Sequence, residues 1–162
     1  MGFELLQFVS GIIQKQAVNE IVECNDITRQ FGLELTAEQA LELVETRLFA
    51  LNSNGRIAFG GGAVNKIIME FCDSPYISMY NYNQTLHDLV EIFYYYKNHT
   101  MDLISDDDLI KFMKKSFDGV WQGSLELLSG RELYLLAQNL RYGRPDDYSE
   151  NEESFEDDGE QY

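Results

Sequence analysis

Apolar residues recur at helical spacing along most of this chain, and that period constrains the fold more than any single motif does. Ala17, Ile21, Cys24, Thr28 and Phe31 follow one another at steps of 4, 3, 4 and 3, which is one face of a helix that Gly32 ends. Thr36 and Gln39 then stand as a capping box. Behind them Ala37, Ala40, Leu41, Val44, Leu48 and Leu51 form a second stripe, stopped by Asn54-Gly55. A third helix carries Val64, Ile67, Ile68 and Phe71 and closes at Asp73-Ser74-Pro75.

The fourth helix is expected from about Asn83 to Asn98, with Asn81 as its cap and Gln84 as box partner. Leu86, Leu89, Val90, Phe93 and Tyr96 make its stripe, while Ile92, Tyr94 and Tyr95 cover much of the rest. A helix apolar nearly all round belongs in the middle of a bundle. Ser105 caps a fifth helix with acids first (Asp106 to Asp108) and lysines last (Lys111, Lys114, Lys115), matching the helix dipole. Trp121, Leu125 and Leu128 lead to a last helix, capped by Ser129 with Glu132 and buried through Leu133, Leu136, Ala137 and Leu140.

Helix is disfavoured at one place. Across Arg56 to Gly62, Ile57 and Phe59 alternate as in an extended segment, and three adjacent glycines cost too much backbone entropy for a helix interior. The expected fold is therefore all-α: a single, bundle-like domain of six or seven helices with short loops and one Gly-rich extended corner.

Charge divides the chain. Nine of its 28 acids lie in residues 146–162, which hold no Lys or Arg, so residues 1–145 carry −7 of the total −16. The tail lacks apolar periodicity and is expected to be disordered, with the helical domain spanning residues 1–145. A solubilising end is the plain reading, and an acidic peptide for a basic partner is the sharper one. An apolar content of 44% excludes a disordered whole. Twelve basic residues against 28 acids argue against nucleic acid, whose affinity comes from neutralised phosphates. Glu4 stands where a secretory signal needs positive charge, and no apolar run approaches a membrane span. The expected compartment is the cytoplasm, with Cys24 and Cys72 reduced.

Motifs that carry chemistry are few. Gly60, Gly61 and Gly62 lead into a helix N-terminus, where free N–H groups can hold an anion with help from Lys66 and Arg56. No Gly-Lys-Ser/Thr follows, so this is no P-loop. A tight corner is the plainer reading. Asn52 to Ile57 shares the turn chemistry of a calcium loop, but Ala50 and Gly61 occupy the positions that need acids. His87 with Glu91, and His99 with Asp102, have ligand spacing without further ligands, and Glu38, Glu42 and Glu45 read as a solvated stripe. No metal site, no cofactor and no catalytic residue is expected. Cys72 sits at a helix end beside Asp73, a setting that raises a thiol pKa.

Tyrosine is the unusual component. Tyr76, Tyr80 and Tyr82 precede the fourth helix, and Tyr94, Tyr95 and Tyr96 lie near its end. Such amphipathic rings suit either the wet edge of a core or a protein interface. Through Phe71-Cys72-Asp73-Ser74-Pro75-Tyr76-Ile77, the Ile92 to Lys97 run and Gln122-Gly123-Ser124-Leu125, the chain resembles a bacterial family of small acidic helical proteins classed only as a domain of unknown function. The resemblance covers about residues 12–143 and implies a bacterial cytoplasmic origin, with no activity or site to carry over. The leading expectation is a non-enzymatic interaction or regulatory module with a protein partner, a second copy of the chain included. The alternative is a small-molecule or anion binder, or an enzyme acting on one, that uses the Gly60–Gly62 corner.

Overall fold

The computed structural model describes residues 2–53, 62–100, 103–127, 130 and 133–141. Its helices are α1 (Gly2–Glu23), α2 (Asn25–Thr28), α3 (Ala37–Ser53), α4 (Ala63–Phe71), α5 (Tyr82–His99), α6 (Asp106–Asp118), α7 (Leu125–Leu127) and α8 (Leu133–Arg141), with a 3-10 turn at Arg29–Phe31. No strand occurs among the described residues, and the all-α class holds. The corner at 54–61, the Ser129 and Glu132 cap and the tail at 146–162 lie outside the described residues.

α5 is the hub, packing against α3, α4, α6, α7 and α8. Its broad apolar surface explains this: Leu86, Leu89, Val90 and Phe93 are fully buried, as are Tyr82, Tyr94 and Tyr96 to within a few per cent. Gln84, Glu91, Tyr95 and Asn98 leave one face exposed, so the helix is not apolar nearly all round. α4 and α6 pack on each other, and α1 packs on α3 and α4. Phe71, Phe117 and Tyr76 meet edge to face in one line, with ring centroids 5.5 and 6.2 Å apart.

Local signals held where they were local. Thr36 Oγ1 accepts from Gln39 N–H at 3.1 Å, and Gln39 Oε1 accepts from Thr36 N–H at 3.0 Å. Ser105 Oγ accepts from Asp108 N–H at 3.1 Å. Three further expectations are corrected. The first stripe is interrupted at Cys24, and the 3-10 turn, with three residues per turn, swings Phe31 out to solvent. In α3 the buried line is Ala40, Leu43, Val44, Arg47, Ala50 and Leu51, which leaves Leu41 and Leu48 exposed at its edge. Asn81 does not cap α5 with its side chain, and Gln84 bonds Asp88 instead.

Candidate functional site

Two places concentrate features that packing alone does not explain, and they lie at opposite ends of α4. At its start, Gly62 has φ 45° and ψ −118°, a conformation that a side chain would strain. Being glycine, it supplies no side-chain cap, so the N–H groups of the first turn are not covered from that position. Arg47 approaches from α3. It is 3% exposed, its Nε donates to Tyr94 Oη at 3.1 Å, and its Nη2 lies 3.9 Å from where a Cβ on Gly62 would stand.

Of the residues the sequence nominated here, the structure brings Gly62 and Lys66 to one helix end. Lys66 is half exposed and pairs with Asp107 at 3.0 Å, whose hydrogen bond and charge hold the amine above the ordinary lysine value. Arg56, Gly60 and Gly61 lie outside the described residues. Arg47 was missed, although Ala40, Val44, Arg47 and Leu51 keep steps of 4, 3 and 4 that put it on the buried line.

At the other end of α4 the chain forms a braced loop, residues 72–81. Ser74 Oγ donates to Asp118 Oδ1 at 2.6 Å and accepts from Tyr76 N–H at 3.2 Å. Asn81 works inward: its Oδ1 accepts from Ser78 N–H at 2.9 Å and its Nδ2 donates to Tyr76 O at 3.2 Å. Ile77 is buried, and a Cβ on Gly123 would come within 2.5 Å of Tyr76 Cβ, so the loop fits closely onto the end of α6. From this frame Tyr80 projects 99% exposed, beside Met79 at 50% and Tyr76 at 37%, and Val120 just past α6 is 76% exposed. The six nominated tyrosines thus divide. Tyr76, Tyr80 and Tyr95 reach solvent, whereas Tyr82, Tyr94 and Tyr96 are core residues, because their positions on α5 face its neighbours. Burial pushes the Tyr82 phenol well up; the Thr28 hydroxyl nearby offsets part of this without forming a hydrogen bond of good geometry.

Lys114 braces the loop's base, with Nζ 2.6 Å from Asp73 and 2.8 Å from Asp118. Burial alone would lower its pKa, but the hydrogen bonds and charges of Asp118 and Asp73 outweigh this and hold it above the ordinary value. A raised lysine contributes stability that is complete below the unfolded pKa of about 10.4 and is lost as pH climbs through the folded value. Lys114→Met should cost about 1 kcal/mol at pH 7, since Asp73 is exposed and screened. In urea unfolding the gap should stay level to about pH 10 and narrow above it. A gap unchanged at higher pH would show that the ion pairs contribute nothing.

Of the remaining nominees, Asp102, the proposed companion of His99, lies outside the described residues. His87 Nδ1 and Thr46 Oγ1 share a hydrogen bond of 2.7 Å between α5 and α3. Among the described residues, no group of three or more His, Cys, Asp or Glu is placed to hold a metal ion. Burial and Glu23 raise the Cys24 thiol, burial and Asp73 raise that of Cys72, and both cysteines are free. Among the described residues no helix is long and apolar enough to cross a membrane.

The class so defined is an all-helical bundle built on a central tyrosine-rich helix, with a buried arginine and a braced aromatic loop at the two ends of α4. The chain belongs to DUF6323, a family of unknown function, which matches residues 20–146. No curated protein and no solved structure matches it.

Proposed function

We propose that this chain is a non-enzymatic protein-interaction module whose partner meets the 76–80 loop. Full exposure of Tyr80 on a loop fixed from beneath carries the reading. A large ring held out on a rigid frame loses little conformational freedom on docking, and Tyr and Met are residue types that interfaces favour. An aromatic with no such use would gain by folding back onto the apolar surface. Two free thiols suit a reducing compartment, which supports a cytoplasmic reading for the module.

Photocrosslinking tests this. With p-benzoylphenylalanine in place of Tyr80, irradiation in the native cell should give one discrete adduct. The same group in place of Leu103, exposed past the other end of α5 and roughly 27 Å away along that helix, should give none. An adduct of twice 18.7 kDa would make the partner a second copy. Tyr80→Ala with Met79→Ser should weaken binding of the crosslinked partner at least tenfold and move the melting temperature by no more than about 2 °C. Equal adducts from both positions would remove the reading. A second reading, a binder of small anions, is favoured by the buried Arg47 alone.

A further inference from the structure

We infer that the start of α4 is a binding site for a small carboxylate, with the Arg47 guanidinium as its anchor. Removing an arginine's charge from water is costly unless an opposite charge compensates it. Arg47 is 97% removed from solvent, yet its one side-chain bond within the described residues is from Nε to the neutral phenol of Tyr94. None of the described carboxylates forms an ion pair with it; those of Asp26, Glu34, Asp73, Asp106, Asp107 and Asp118 pair with Arg29, Lys66, Lys97 and Lys114.

The placement makes the charge harder to explain as packing. Nη2 lies beside Gly62, the N-cap of the nine-residue helix α4, where the helix dipole is positive and Gly62 offers the first-turn N–H groups no side-chain cap. A cation set against a helix N-terminus is repelled by it. An anion lying between them is attracted by both, which turns the same arrangement from unfavourable to favourable. Gly62 itself is exposed, and apart from its chain neighbours and its own helix backbone Nη2 is the one described atom within 4 Å of its Cβ position. The unusual φ of Gly62 keeps that position free of a side chain. In the first turn of α4, Asn65 also holds a buried amide oxygen with no hydrogen-bond partner among the described residues.

Charge selects the ligand. One guanidinium offers a planar fork that matches a carboxylate in two parallel hydrogen bonds. Lys66, the next cation on α4, is already held by Asp107. Among the described residues no further cation stands ready for the second charge of a dianionic phosphate, and the protein already carries a net charge of −16. A monocarboxylate is matched one to one.

The test is an amide NMR titration of the full chain with sodium acetate replacing sodium chloride at constant ionic strength. Saturable shifts are expected at the N–H groups of Ala63, Val64 and Asn65 and at Arg47 Nε–H. Arg47→Lys should weaken the fitted affinity at least tenfold, and Lys66→Ala should change it less than twofold. Should Arg47→Lys fail to fold, Tyr94→Phe keeps the charge while removing its hydrogen-bond partner, and should weaken acetate several-fold. Shifts that rise linearly without saturating, or that ignore both Arg47→Lys and Tyr94→Phe, would overturn the site. Inorganic phosphate saturating these amides where acetate does not would overturn the carboxylate assignment.

Discussion

Phe71→Ala should unfold this protein at markedly lower urea, losing about 3–5 kcal/mol, which is a large share of the stability of a single domain. Phe71 is fully buried at the last turn of α4 and meets Phe117 of α6 edge to face, 5.5 Å between centroids and 68° between planes. Phe117 in turn meets Tyr76 at 6.2 Å and 89°. The neighbours cannot close the space that a lost ring leaves, because Phe117 is itself pinned by Tyr76 and by the helix that carries it. The cavity term therefore adds to the lost transfer energy. With a denaturation slope of about 2 kcal/mol per molar urea, the midpoint should fall by roughly 1.5–2.5 M. Phe49→Ala removes the same ring from an exposed position on α3 and should stay within about 0.5 kcal/mol of the parent. A loss below about 1 kcal/mol for Phe71→Ala would mean that α4 and α6 are not packed as described.

The same aromatic line shows what a sequence can and cannot disclose. The buried faces of α4 and of the central α5 were legible because the information is local: spacing sets the face, and Thr36, Gln39 and Ser105 mark helix starts within three residues of themselves. Arg47 was legible in principle. It stands on the line from Ala40 through Val44 to Leu51, but a stripe traced through aliphatic residues alone passes over a cation. Where a side chain folds back into its own loop, reading by residue type and position failed. Asn81 has the residue type and position of a helix cap, yet its amide is taken by Ser78 and Tyr76, which only the turn brings near. The tyrosines divided for a similar reason. Tyr94, Tyr95 and Tyr96 are consecutive, so successive 100° steps around α5 send the first and third toward neighbours and leave the second in solvent.

The second large effect comes from one amide that no periodicity announces. Asn25 is buried at the start of α2, where its Nδ2 donates to Leu35 O at 2.8 Å and its Oδ1 accepts from Leu35 N–H at 2.9 Å. Ten residues away in sequence, it serves Leu35 as a neighbouring β-strand would. Thr28 does the same for Leu33, its hydroxyl donating to Leu33 O at 2.8 Å and its carbonyl accepting from Leu33 N–H at 3.1 Å. The segment between the 3-10 turn and α3 buries both leucines without regular structure, so the side chains of Asn25 and Thr28 and the Thr28 carbonyl are how the backbone of the two leucines is satisfied. Asn25→Leu keeps the volume and leaves an N–H and a C=O of Leu35 unpaired in the interior. At about 1–3 kcal/mol for each of the two orphaned groups, the loss should be roughly 2–6 kcal/mol. Asn25→Asp separates the amide's effect from simple packing. Its carboxylate still accepts from Leu35 N–H but faces Leu35 O with no proton to offer, and burial with that repulsion raises its pKa above the unfolded value of about 3.9. A carboxyl whose folded pKa is raised carries a penalty that is complete above the folded pKa and shrinks as pH falls toward the unfolded value, as the proton returns to bridge to the carbonyl. Urea unfolding should therefore show Asn25→Asp well below the parent at pH 7 and closer to it at pH 4, with Asn25→Leu equally low at both. If the two variants track each other across pH, the paired amide is not what secures this crossing.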